Sequence, residues 1–241
     1  MAGVIARRLL VNYRVSPDAL ARILPAPFRP QVVDGWGIAG ICLIGLRDVR
    51  PRGLPGALGL ASENAAHRIA VEWDDERGTT QRGVYIPRRD TSSRVNALLG
   101  GRLFPGSHHR ARFTVDDAAD RVSVSLVSDD GRTRVRVDGR IAEGWPADSV
   151  FGSLADASAF FERGSLGYSA TPNARAHDGI ELRTTDWRVT ALSVTHVAST
   201  FFDDAATFPR GSVAFDCALL MRDVAHEWHA RGTLTAPAPP T

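Results

Sequence analysis

The chain contains no lysine: all 29 of its basic residues are arginine. That absence closes a branch of chemistry. No side chain can form a Schiff base with a carbonyl substrate or anchor pyridoxal phosphate, which leaves the N-terminus as the sole amine. Cysteine is scarce, with only Cys42 and Cys217 in 241 residues. Both sit inside apolar runs, "GIAGICLIGL" and "VAFDCALLM", so buried free thiols are expected ahead of a disulfide. Long apolar runs are missing. Neither "MAGVIARRLLVNYR" nor any later segment is long enough for a secretory signal or a membrane span, so a cytoplasmic protein with no membrane partner is expected. An excess of one charge is missing as well. The formal net charge is +2 with acids and bases interleaved, which argues against nucleic acid as a partner. There is no P-loop, no Gly-x-Gly-x-x-Gly and no Gly-x-Ser-x-Gly turn. "HEWH" (226–229) has histidines three apart and is not the zinc-protease helix. A set of His67, His109 and Glu63 has acceptable ligand types but no diagnostic spacing, so no metal and no cofactor are expected.

What is present is a series of short alternating runs. In "RVSVSLVSDDGRTRVRVDGRI" (121–141), Val122, Val124 and Leu126 share one face, and Val135 and Val137 repeat the pattern after an Asp-Gly turn. This predicts a β-hairpin. Further strands are predicted at 4–15, 36–47, 62–73, 80–87, 107–115, 179–197 and 211–222. Helices are few. "SPDALARIL" has Ser16 as cap and Pro17 at the first position, "SSRVNALLGG" (92–101) begins with serines and ends in glycines, and "SLADASAFFERG" (153–164) has both signals. The pattern predicts an α+β protein, mostly antiparallel β, with a closed or nearly closed barrel. No linker divides it: one domain over 1–235 is expected, with a disordered Pro/Ala tail at 236–241. The oligomeric state is left open, a homo-oligomer included.

Strand parity sorts the histidines of "GGRLFPGSHHRARFTV" (100–115). His109, Ala111, Phe113 and Val115 share one face; His108, Arg110, Arg112 and Thr114 share the other. The first set is apolar, so His109 is expected to point inward and His108 toward solvent or a cavity mouth. The same rule puts Glu63, Ala65, His67 and Ile69 on one face of "SENAAHRIAV". Glu63, His67 and His109 could then form an acid/base cluster around a cavity. The alternative is a carboxylate and imidazoles satisfied within the core. In "GVYIPRRDTSSR" (83–94), Tyr85, Arg88 and Arg89 run into a helix start, an arrangement suited to a carboxylate or phosphate. A capped loop with solvated charges is the competing reading.

Five segments together, "LLVNYRVSPDALARILPAPFRP", "SENAAHRIAVEW", "GVYIPRRDTSS", "GGRLFPGSHHRARF" and "FFDDAATFPRGSVAFDCALLMRDVAHEW", resemble the DUF2071 (YqjF-like) family over nearly the whole chain. That family is similar to the acetoacetate decarboxylase-like superfamily, which implies a cone-shaped antiparallel barrel with flanking sheet and helices. In the decarboxylase, a Gly-Gly-Arg precedes a Gly-Phe-Pro-Lys-Lys motif that carries the Schiff-base lysine. Counted ungapped from Gly100-Gly101-Arg102, that lysine falls at His109, and a one-residue slip moves it to His108. The superfamily's pocket glutamate matches Glu63. Without lysine, the imine route is closed here.

Two classes of function follow. One is an enzyme acting on a small carbonyl or carboxylate compound, with His109, Glu63 and His67 moving protons and Tyr85, Arg88, Arg89 and His108 holding the substrate. The other is a non-catalytic protein that binds a small anionic or carbonyl-containing ligand and keeps only the pocket.

Overall fold

The computed structural model describes residues 1–55, 57, 59–99, 106–171 and 175–236. Thirteen strands and three short helices follow one another: β1 (Ala2–Val15), α1 (Pro17–Ala21), β2 (Arg29–Pro30), β3 (Val32–Val33), β4 (Trp36–Arg50), β5 (Leu60–Asp74), β6 (Thr80–Thr91), α2 (Arg94–Leu99), β7 (His108–Asp117), β8 (Arg121–Ser128), β9 (Arg134–Ile141), α3 (Leu154–Arg163), β10 (Leu166–Ala170), β11 (Ala176–Thr184), β12 (Thr190–Ser199) and β13 (Val213–Thr235). The mostly antiparallel reading holds, and the β8–β9 hairpin forms as predicted. The single strand expected over 179–197 is instead two, β11 and β12, which pair with different stretches of β13. The strand β10 was not foreseen. Ser16 makes no side-chain cap; its carbonyl oxygen accepts from the amides of Ala19 and Leu20 instead. Ala236, expected at the start of a loose tail, is buried, and its amide donates to the Arg175 carbonyl. Residues 237–241, and the glycines at 100–101 that were to end the second helix, lie outside the described residues.

The strand pairings close two circuits. One runs β1–β4–β5–β6–β7–β8–β9–β12–β13 and back to β1. The other leaves β6 through a short parallel pairing to β10, continues to β11 and returns by β13. Strands β1, β4, β5, β6 and β13 therefore form a wall common to both. Side-chain alternation sends Leu9, Val11, Ile41, Leu43 and Ile69 into the first circuit and Leu10, Ile38, Cys42, Ile44 and Leu219 into the second. A wall covered on both faces needs continuous apolar sequence rather than alternation. The run from Gly37 to Leu46 in β4 is buried without a break.

Helix α3 closes the second circuit over the wall. Ser153 caps it, its hydroxyl oxygen accepting from the Asp156 amide at 3.1 Å. Phe161 and Ala157 form its buried stripe, with Phe151 packed beside Phe161. Burial of a phenylalanine of this kind contributes about 1.5–3 kcal/mol. Both cysteines are buried free thiols, as expected.

Candidate functional site

A cavity of about 200 Å³ lies between the common wall, β10, β11 and α3. Its apolar surface comes from residues such as Leu10, Ile44, Ile86, Phe161, Leu182 and Trp228. Its polar lining includes the cations Arg8, Arg68 and Arg89, the imidazole of His108, the carboxylate of Asp90 and the amide of Asn64.

Strand register brings these together. Cys42 on β4 pairs with Ala66 on β5, Ala66 with Arg89 on β6, and Arg89 with His108 on β7, forming one row across four strands. The methyl group of Ala66 leaves room for the arginine beside it. Which arginine of the Arg88–Arg89 pair joins this row is decided by an irregularity in β6. His67 pairs with Arg88 but Ile69 pairs with Tyr85, so β6 carries one extra residue over this span. The extra residue reverses side-chain parity along β6. Val84, Ile86 and Arg89 consequently line the cavity, while Tyr85 and Arg88 face the other way. Pro87, which has no N–H to give to a ladder, sits within the bulged stretch.

His108 stands at the first position of β7. Its Nδ1–H donates to the Gly106 carbonyl at 3.2 Å, which fixes the tautomer and leaves the lone pair on Nε2. Burial and then the neighbouring Arg89 charge lower its pKa to about 4, so the ring is a neutral imidazole near pH 7. Gly106 is required for this seat. Its φ is +85°, and a Cβ there would meet the Ser169 Cβ at 2.8 Å.

Arg68 and Arg89 have no carboxylate partner. Arg89 donates from Nε to the Ser169 hydroxyl at 3.3 Å, and its buried Nη2 has no hydrogen-bond partner. Arg68 donates from Nη2 to the Asn12 side-chain carbonyl, and its guanidinium lies 4.6 Å from the Phe161 ring centre. Its Nε is buried without a partner. Desolvation lowers the pKa of each to about 10, and both remain charged at neutral pH. Arg8 donates from Nε to the Cys42 sulfur at 3.3 Å and stacks over Trp187.

With the fold and cavity defined, the relatives of the chain can be placed. The DUF2071 family model, described as an uncharacterized conserved protein, matches residues 5–215. The chain belongs to this family. No curated protein matches it. Among solved structures, this DUF2071 protein is similar to an acetoacetate decarboxylase with a TM-score of 0.57 at 14% identity, covering 93% of this chain and 86% of that one. An acetoacetate decarboxylase-like enzyme from Sphingomonas wittichii RW1 gives a TM-score of 0.57 at 14% identity, covering 98% and 92%. The enduracididine biosynthesis enzyme MppR, complexed with pyruvate, gives 0.56 at 14% identity, covering 95% and 89%. The fold is therefore acetoacetate decarboxylase-like.

Of the seven residues singled out in the sequence, the cavity is lined by Arg89 and His108. Glu63, His67, Tyr85 and Arg88 lie on the opposite face of the wall, and His109 lies on β7, outside it. His109 keeps the parity predicted for it, on the side of Ala111 and Phe113, but at the rim: its side chain is 39% exposed and its Nδ1 lies 3.3 Å from Asp130. His109 does not point into a cavity, and His108 does. Glu63 is ion-paired with Arg7, which also approaches Asp117 at 3.7 Å; burial raises its pKa and Arg7 opposes the rise. His67 is fully buried between Ser199, 3.3 Å from its Nε2, and the Phe201 ring, and burial lowers its pKa to about 3. No hydrogen bond or ion pair joins Glu63, His67 and His109 among the described residues. Tyr85 packs among Phe28 and His177, and Arg88 bridges Asp90 and Asp130. Among the described residues there is no group of three His, Cys, Asp or Glu side chains able to hold a metal, and no helix is long and apolar enough to cross a membrane.

Sequence reasoning missed Arg68 and Arg8. The signal for Arg68 lies in the even positions of "SENAAHRIAV", where Asn64, Ala66, Arg68 and Ala70 form a second face of small and polar residues. An arginine within an otherwise apolar strand, neighboured by alanines, has space around its head.

Proposed function

We propose that the cavity takes a small organic acid bearing a carbonyl group, and that the protein is an enzyme that moves a proton at the carbon beside that carbonyl. Arg89 and Arg68 hold the carboxylate, a role for which the guanidinium fork is shaped. His108 is the base. A neutral imidazole whose Nδ1–H is tied to a backbone carbonyl presents Nε2 as the accepting nitrogen. The observation that carries this reading is a pair of arginines, each with a buried guanidinium nitrogen and no anionic partner, beside His108 in a largely apolar cavity. Similarity to acetoacetate decarboxylase-like enzymes supports an enzyme over a bare scaffold. No side chain can supply an imine, because the chain has no lysine.

The test is deuterium exchange into the methyl group of pyruvate, followed by proton NMR in D₂O. The expected outcome is protein-dependent exchange that His108→Ala reduces by at least about 100-fold, within the range general-base catalysis supplies. His109→Ala should leave it unchanged. Pyruvate binding without exchange would favour the non-catalytic ligand-binding protein, and loss of exchange in His109→Ala would return the base to His109.

A further inference from the structure

We propose that the natural ligand of this cavity is a dianion, carrying a second acidic group in addition to the carboxylate assigned above. The inference rests on that assignment and extends it through charge balance. Arg68 is buried and Arg89 is partly buried, and each keeps one buried guanidinium nitrogen that donates to nothing. Arg8 reaches the same cavity from β1 and brings a third positive head.

All three heads line the same cavity as Cys42. Arg8 donates to the Cys42 sulfur. The Arg68 and Arg89 charges are both within electrostatic reach of that sulfur. Cys42 and Arg89 are separated only by Ala66 in the four-strand row, so a long side chain spans the gap over a methyl group. Arg68 stands one alternate position beyond Ala66 on the same face of β5.

No acid of the chain neutralises them. Every aspartate and glutamate lies among the described residues, and none is ion-paired with Arg8, Arg68 or Arg89. Asp90 borders the cavity, but its carboxylate is held by Arg88, with a shortest contact of 2.8 Å. Burying a charge without a counter-charge is costly, and a monoanion would leave at least one of the two deep charges uncompensated. A dianion matches them, with Arg8 completing the set. Dicarboxylates and phosphomonoesters share this chemistry, and both fit guanidinium forks.

The test is isothermal titration of the full chain with ligands matched in length and differing in charge: 2-oxoglutarate against 2-oxovalerate, and glutarate against valerate, with inorganic phosphate as a separate arm. The expected result is at least about tenfold tighter binding of the diacid in each pair. Arg8→Gln should shrink that ratio while weakening the monoacid less. Phosphate binding with a similar dependence on Arg8 would assign the dianion as a phosphoryl group rather than a second carboxylate. Equal or tighter binding of the monoacids would overturn the inference while leaving the small-acid reading standing. Binding of none of the five probes would overturn both. Because Arg68→Gln and Arg89→Gln alter buried groups, circular dichroism and the thermal midpoint are recorded for each variant. Loss of dianion binding in a folded variant is the supporting outcome. A folded Arg89→Gln protein that keeps full dianion affinity would also refute the proposal.

Discussion

Arg88 and Arg89 are consecutive on β6 and end in opposite surroundings. On one side of the wall, Arg88 sits between Asp90 and Asp130, Asp130 also faces His109, and Glu63 pairs with Arg7. On the other, Arg89 and Arg68 have hydroxyl, amide or aromatic neighbours and no carboxylate. Both sides hold perturbed ionisable groups, so perturbation alone does not separate a binding site from a stabilising network. Completeness of pairing does. A network that serves the fold brings its own counter-charges, and a site that waits for a ligand leaves that place open.

The sharpest way to break this contrast is to remove each arginine in turn. Arg88→Met strands the Asp90 carboxylate, whose side chain is fully buried, and should cost about 3–5 kcal/mol in urea denaturation. Arg89→Met removes a partly buried charge that has no counter-charge, so the ligand-free protein should be as stable as the parent or more so. If both variants lose the same stability, Arg89 is part of the fold in the way Arg88 is.

Acid should weaken the fold through a second set of buried groups. His67, His108 and His226 are held neutral, with pKa values lowered to about 3, 4 and 4, mainly by burial. Each is below its unfolded value of about 6.5, so between these limits the unfolded chain binds more protons. The stabilisation is therefore complete above pH 6.5 and is lost as pH falls toward 4. His67→Phe, which suits the Phe201 and Phe202 surroundings, should flatten the stability profile between pH 6.5 and 4. An unchanged slope would show that His67 is not one of the groups responsible.

The smallest effect is expected at His109. Its pairing with Asp130 is partly solvent-exposed, and His109→Ala should change stability by less than about 1 kcal/mol. A larger loss would mean that the rim of the first circuit matters more to the fold than its exposure implies.

These contrasts also mark how far the sequence could be read. Alternation in β8, β9 and β7 is visible in the letters because one of their faces is largely wet: Val122, Val124 and Leu126 are buried while Arg121 and Val127 are exposed. The same alternation correctly separated His108 from His109. It misjudged the outcome because it allowed a single core. At the start of β7 the less apolar face borders the cavity, and the other ends at a rim where His109 is partly exposed. The unbroken apolar run around Cys42 was the legible sign of a wall covered on both sides. Pro87 was the one letter that hinted at an irregular ladder, but the position of the extra residue is set by the register of two strands, and that placed Arg89 rather than Arg88 in the cavity.

The common wall has a consequence for how the molecule breathes. Strands β1 and β4 have partners on either edge over most of their length and packed side chains on either face. Local opening that exposes their amides must disrupt both circuits, so these amides belong to the slowest-exchanging class. Strands β10 and β11 close the cavity side through only two pairs between β10 and β6. That seam is the low-energy place for fluctuation, and a ligand could enter by parting it while the wall stays closed.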